Sequence, residues 1–136
     1  QIRDTGKVQL FKSYRSDYKD GEQKRDFIYV KDAVDITLYF LDNKEKNGIF
    51  NVGTGKAQTW IELVTALFNA LEKPVNIEFV DMPVEIRDRY QYFTEANLTK
   101  LRKAGYNNPI MNVQQGVEDY VKNYLLKNPY LAMNTD

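Results

Sequence analysis

The chain has 136 residues, with 43% apolar and 28% charged positions, enough to bury the core of one globular unit without disulfides or structural metals. Its 19 basic residues cancel its 19 acidic ones, so no overall field draws in a nucleic-acid backbone or an anionic membrane. Cysteine and histidine are both absent, which excludes thiolate nucleophiles, Ser-His-Asp triads and His- or Cys-ligated metals, and fits a cytoplasmic address. Chemistry is left to Tyr, Lys, Arg and carboxylates. No window approaches the ~18 uninterrupted apolar residues of a membrane span. The chain opens at Gln1 with no initiating methionine and no signal-like segment, and is read here as a piece of something longer.

In chain order, Val8 to Phe11 alternates as a short strand and runs into a polar loop from Lys12 to Lys24, a candidate binding edge. Phe27 to Val30 is rich in β-formers and predicts a second strand. The dense apolar pattern from Lys31 to Asp42 predicts a helix, and Ile49 to Val52 a buried strand closed by the turn Gly53-Thr54-Gly55. Thr59 and Glu62 have capping-box spacing, so a helix should begin there and run to about Leu71, where Lys73-Pro74 stops it. Val75 to Val80 alternates as a half-buried strand ending at Pro83, and a loop follows through Arg89. Thr94 is placed to cap a short helix carrying Leu98 and Leu101 and ending at Gly105. Asn112 with Gln115 opens a last amphipathic helix with Val113, Val117, Tyr120, Val121 and Tyr124 on one face. Strands alternating with helices make an α/β pattern.

Gly53-Thr54-Gly55 follows a predicted strand, but Gln58 stands where the third glycine of G-x-G-x-x-G belongs, and the run lies too far along the chain to open a dinucleotide fold. A phosphate-cradling P-loop fails too, with Phe50 and Ala57 at required positions. Arg25 sits between the polar loop and the Phe27 run, held by its backbone yet able to aim its fork into a cleft. That suits a diphosphate, or equally a surface ion pair with Asp26 or Asp32. Arg87, Arg89, Tyr90 and Tyr92 gather two guanidinium groups and two phenols in one loop. The stretch is too short and the chain too neutral for single-stranded nucleic acid.

Arg25-Asp26-Phe27-Ile28-Tyr29-Val30 with Asp32, followed by Phe50-Asn51-Val52-Gly53-Thr54-Gly55, resembles the C-terminal half of extended short-chain dehydrogenase/reductases that act on nucleotide sugars. Gly48-Ile49-Phe50, Arg89-Tyr90-Gln91 with Phe93-Thr94, and Leu101 to Tyr106 look more narrowly like the ADP-heptose epimerases of that family. The resemblance covers almost the whole chain and departs from the family in the loop after Tyr14 and the tail after Leu126.

The resemblance implies an α/β piece: residues 30–55 as the last helix-strand unit of the Rossmann domain, with 1–29 and 56–136 as two parts of a substrate-binding lobe. It implies an ADP-sugar as ligand, NADP as cofactor held by a missing N-terminal Rossmann half, a homo-oligomer, and no nucleic-acid or membrane partner. It places substrate contacts at Phe11, Lys12, Ser13 and Tyr14, at Arg25 on the diphosphate, and at Tyr90. The family's catalytic Tyr-x-x-x-Lys is not in this chain, since none of its ten tyrosines has Lys four residues on, and no catalytic residue is assigned. Alternatives are another epimerase or dehydratase of the superfamily, or a non-catalytic nucleotide-sugar-binding module.

Overall fold

The computed structural model describes residues 1–127. A one-turn helix, α1 (Ile2–Thr5), leads into β1 (Val8–Phe11), which pairs in parallel with β4 (Ile77–Val80) in the register Val8 to Ile77 through Phe11 to Val80. Between them come β2 (Lys24–Arg25), α2 (Val30–Asp42), β3 (Gln58–Thr59) and α3 (Trp60–Ala70). After β4 follow α4 (Val84–Arg87), α5 (Thr99–Lys103) and α6 (Val113–Tyr120), whose last turn widens into a π-helical stretch, Val121–Leu125.

Both predicted capping boxes form. The Thr59 hydroxyl accepts from the Glu62 amide at 3.0 Å while the Glu62 carboxylate accepts from the Thr59 amide at 2.6 Å, satisfying donors that would otherwise be orphaned at the start of α3. Asn112 and Gln115 do the same for α6. The apolar face of α3 then buries Val64 and Phe68 with Ile2 against Val8, Leu10 and Ile77 of the small parallel sheet. A second core forms around Ile36, Leu101 and Tyr106, where α2 meets α5. Burying Phe68 or Ile36 contributes roughly 1.5–3 kcal/mol each.

Four expectations are corrected. Phe27 to Val30 makes no strand: β2 is displaced to Lys24–Arg25, and Val30 already belongs to α2. Ile49 to Val52 is likewise without strand pairing, because no neighbouring strand among the described residues offers it a ladder; Ile49 is 89% exposed. The helix expected from Thr94 begins at Thr99, with the Asn97 carboxamide accepting from the Thr99 amide at 3.0 Å, since Thr94 and Ala96 are held extended by bonds to Lys24 and Asp26. The segment before Arg89, expected to be loop, contains α4.

Exposure has a pattern. Val30, Val34, Leu38 and Leu41 project from one stripe of α2, at 59%, 51%, 49% and 60% exposed, and Ile49 and Val52 lie exposed in the chain that follows. An unpartnered apolar stripe of this kind favours association. The 136-residue polypeptide alone is expected to self-associate or unfold without a cooperative transition; sedimentation showing a monodisperse monomer with cooperative thermal unfolding would contradict this. No helix among the described residues is long and apolar enough to cross a membrane.

The start of α2 is tied to α6 by a polar cluster. The Asp119 carboxylate accepts from the Tyr29 hydroxyl at 2.6 Å, the Lys31 ammonium at 2.7 Å and the Asn123 amide at 2.9 Å. These donors, Lys31 first, lower Asp119 to about 2, while burial together with the bond to Asp119 pushes Tyr29 up to about 12. A depressed carboxyl stabilises the fold fully above its ordinary pKa of about 3.9, and that contribution is lost as pH falls towards the folded value. Acid titration of the unfolding midpoint should therefore show a loss between about pH 4 and pH 2 that Asp119→Asn lacks. Identical pH profiles for the two proteins would contradict the assignment.

Candidate functional site

β1 ends at Phe11, and the chain leaves it along the edge of β4, with the Lys12 amide donating to the Val80 carbonyl at 2.9 Å. The loop beyond is pinned rather than free. Asp20 accepts from the Ser13 amide at 2.7 Å, and the loop closes at Gly21, whose φ is +75°. A Cβ there would meet the Ile61 side chain at 2.7 Å and that of Phe79 at 2.9 Å, so only glycine fits between α3 and β4. Lys12 reaches Asp81 at 3.1 Å, and the same carboxylate oxygen accepts from the Tyr14 hydroxyl at 3.2 Å. Hydrogen bonding to Asp81 raises the Lys12 pKa, and the Lys12 bond holds Asp81 below the usual carboxylate range.

Tyr14 is fixed from three sides. Its amide donates to the buried Tyr92 hydroxyl at 3.0 Å, its own hydroxyl goes to Asp81, and the Arg87 guanidinium sits 3.8 Å from its ring centroid. Arg87 is itself steered by a 2.8 Å bond from its Nε to the Met82 carbonyl. Tyr92 continues the cluster, with Tyr90 at 5.4 Å and Tyr18 at 5.2 Å between ring centroids.

Arg25 enters from the other side. It is set by β2, which pairs antiparallel with β3 so that Arg25 lies opposite Gln58. Its guanidinium lies 5.3 Å from the Tyr90 ring centroid, and Nη1 donates to the Lys24 carbonyl at 2.8 Å. Phe11 packs edge-on against the other side of this assembly, 6.4 Å from Tyr90 at 83° between planes. Phe11, Arg25 and Tyr14, scattered in sequence, therefore meet at the Tyr90–Tyr92 pair, and Lys12 joins them by sharing Asp81 with Tyr14, while Ser13 turns to Asp20 and Arg15.

The surface-ion-pair reading of Arg25 does not hold in this structure. Asp26 is committed to the Gly53-Thr54-Gly55 turn and to Ala96: it accepts from the Thr54 amide at 2.7 Å, the Thr54 hydroxyl at 2.6 Å, the Gly55 amide at 2.9 Å and the Ala96 amide at 3.0 Å. Asp32, buried, accepts from the Met111 amide at 3.1 Å. Among the described residues Arg25 has no carboxylate partner, whereas nearby Lys12 and Arg15 are paired with Asp81 and Asp17. An unpaired guanidinium backed by an aromatic face is a ready receptor for a phosphate or carboxylate. The sequence drew attention to Tyr92 and Arg87 only as members of a cluster; their work in holding Tyr14 comes from contacts 78 and 73 positions apart, which spacing does not reveal.

The architecture is mixed α/β, two small sheets packed with helices. Residues 2–53 match the NAD dependent epimerase/dehydratase family. The chain is similar in structure to the UDP-glucose 4-epimerase of Bifidobacterium longum in complex with NAD+ and UDP, with a TM-score of 0.75 at 20% identity over 96% of this chain and 38% of that one.

The sequence similarity is more particular. The chain is 47% identical to the ADP-L-glycero-D-manno-heptose-6-epimerase of Fusobacterium nucleatum over 133 residues, and 50% identical over 125 residues to the protein of that name from Nitratidesulfovibrio vulgaris. These alignments cover 93% and 92% of this chain, which spans only about 40% of the length of these relatives. The Helicobacter pylori ADP-L-glycero-D-manno-heptose-6-epimerase shares the fold, with a TM-score of 0.62 at 22% identity over 97% of this chain and 35% of that one.

Proposed function

We propose that this chain is the ADP-sugar-binding portion of an NADP-dependent isomerase that converts ADP-D-glycero-D-manno-heptose to ADP-L-glycero-D-manno-heptose. The observation that carries the reading is the Arg25 guanidinium, free of carboxylates among the described residues and set against Tyr90 beside the Phe11-to-Tyr14 edge. Similarity at 47% and 50% identity to proteins named for this substrate supports the choice of sugar nucleotide.

In this reading Arg25 neutralises the diphosphate, Phe11 and Tyr90 line the nucleotide end, and the Lys12-to-Tyr14 edge borders the ligand. Holding both ends of the ligand fixes which carbinol carbon faces the chemistry, which is how a binding lobe contributes to rate. NADP, when bound, supplies transient removal and return of hydride. No residue of this chain is assigned to that cofactor, in keeping with the absence here of both a G-x-G-x-x-G turn and a Tyr-x-x-x-Lys pair. Residues 30–55 belong to the dinucleotide domain as its last helix and a segment, Ile49 to Val52, that becomes a strand only when the rest of that domain pairs with it; the exposed stripe of α2 with Ile49 and Val52 is the surface that packs there. Residues 1–29 and 56–136 form the substrate lobe.

Competition by bare nucleotides tests the choice of ligand. ADP should displace a bound ADP-sugar from the complete protein at lower concentration than UDP or dTDP does. A preference for UDP or dTDP would move the protein to another epimerase or dehydratase of the superfamily.

A further inference from the structure

Tyr92 is only 6% exposed, yet it belongs to neither of the two apolar cores. Its burial comes from the ligand face itself. The ring packs against Tyr90 at 5.4 Å and 81° between planes and against Tyr18 at 5.2 Å, and the Arg15 guanidinium, held by Asp17, lies 5.1 Å from its centroid. Edge-on aromatic pairing and a cation near the ring are both attractive, so the ring is locked from several sides. The hydroxyl at its end accepts from the Tyr14 amide at 3.0 Å.

The backbone of Tyr92 faces the opposite edge of the site. Its carbonyl accepts from the Lys24 amide at 2.8 Å, and the Thr94 amide donates back to the Lys24 carbonyl at 3.3 Å. That carbonyl is the one to which Arg25 Nη1 donates at 2.8 Å. Tyr92 is thus linked to Arg25 through the backbone, to Tyr90 through its ring and to Tyr14 through its hydroxyl. The last link is separable, because removing one oxygen leaves the ring and the backbone where they are. Tyr14 is 44% exposed, so little packing fixes its backbone, and the bond from its amide supplies that restraint.

We propose that Tyr92 is a positioning residue for ligand binding: its hydroxyl fixes the Tyr14 backbone so that the Tyr14 side chain stands ready for a ligand held by Arg25. The inference rests on the ADP-sugar reading of this face and goes beyond it by assigning a share of the affinity to a side chain that acts through another. Without the bond, Tyr14 would have to be ordered as the ligand arrives, and the entropy of that ordering would subtract from affinity. With the bond, the ordering is complete beforehand.

The test is a double-mutant cycle on the complete protein, read by calorimetric titration with ADP-D-glycero-D-manno-heptose. Tyr92→Phe removes only the hydroxyl and should weaken binding roughly three- to tenfold, the size expected for one neutral hydrogen bond. In a Tyr14→Ala background, where the side chain being positioned is gone, the same substitution should change affinity by less than about twofold. A tie that only steadies the fold would lower affinity equally in both backgrounds, and that result overturns the proposal. Tyr92→Phe or Tyr14→Ala binding as tightly as the unaltered protein overturns it too. If the double variant fails to fold, Tyr92→Phe decides alone: lost affinity at an unchanged urea midpoint upholds the proposal, and any other result overturns it. Arg25→Ala that leaves affinity unchanged overturns the diphosphate reading instead, so the two failures are separable.

Discussion

Arg25→Ala in the complete protein should weaken ADP-sugar binding roughly ten- to a hundredfold, the equivalent of about 1.5–3 kcal/mol for a charge-assisted hydrogen bond in a partly dry site. The size of the effect follows from what Arg25 lacks. A guanidinium already paired with a carboxylate would lose that partner on meeting a diphosphate, and much of the gain would cancel; Asp26 and Asp32 are both otherwise engaged. Arg25→Lys should recover only part of the affinity, because an ammonium keeps the charge but not the two-pronged geometry. Calorimetric titration with the ADP-sugar checks both variants, and affinity unchanged in Arg25→Ala would discard the assignment.

Asp26→Ala is expected to cost stability on the order of 2–4 kcal/mol while touching no ligand, because it strips the shared acceptor from the amides of Thr54, Gly55 and Ala96 and from the Thr54 hydroxyl. That carboxylate is where three distant segments meet: the end of β2, the Gly53 turn and the strand-like run before α5. Gly53 permits the approach, since a Cβ there would stand 2.5 Å from an Asp26 oxygen and 2.6 Å from the Ala96 Cβ. Burial pushes the Asp26 carboxyl up, but the Thr54 hydroxyl and the three amides together outweigh it and hold the group below the usual carboxylate range. Its contribution is therefore complete above about pH 4 and lost as pH falls through the depressed folded value. Urea unfolding at neutral pH measures the loss, and a midpoint unchanged from that of the unaltered protein would contradict the role given to Asp26.

The same carboxylate shows how far the sequence could be read. Helix starts were legible wherever a local rule closes on itself: Thr59 with Glu62 and Asn112 with Gln115 cap within one turn, and both boxes form. Thr94 has the right chemistry for a cap but lies in a run held extended, its amide donating to the Lys24 carbonyl at 3.3 Å, so a long-range bond overrode the local preference. Phe27 to Val30 and Ile49 to Val52 carry strand-forming residues, but a strand also needs a neighbour to pair with. Among the described residues none pairs with them, and Ile49 is left exposed. The resemblance to the nucleotide-sugar family pointed to six positions, of which the fold gathers Phe11, Tyr14 and Arg25 around Tyr90 and its neighbour Tyr92. Residue types alone left Arg25 undecided between ion pair and receptor; the bonds of Asp26 and Asp32 show that neither carboxylate pairs with it.

The most direct measurement is turnover of ADP-D-glycero-D-manno-heptose by the complete protein with NADP, followed by proton NMR of the heptose. Growth of the ADP-L-glycero-D-manno-heptose signals is the expected result, slowed at subsaturating substrate when Arg25 is replaced by Ala. No epimerisation of this substrate, with turnover of a UDP- or dTDP-sugar instead, would contradict it.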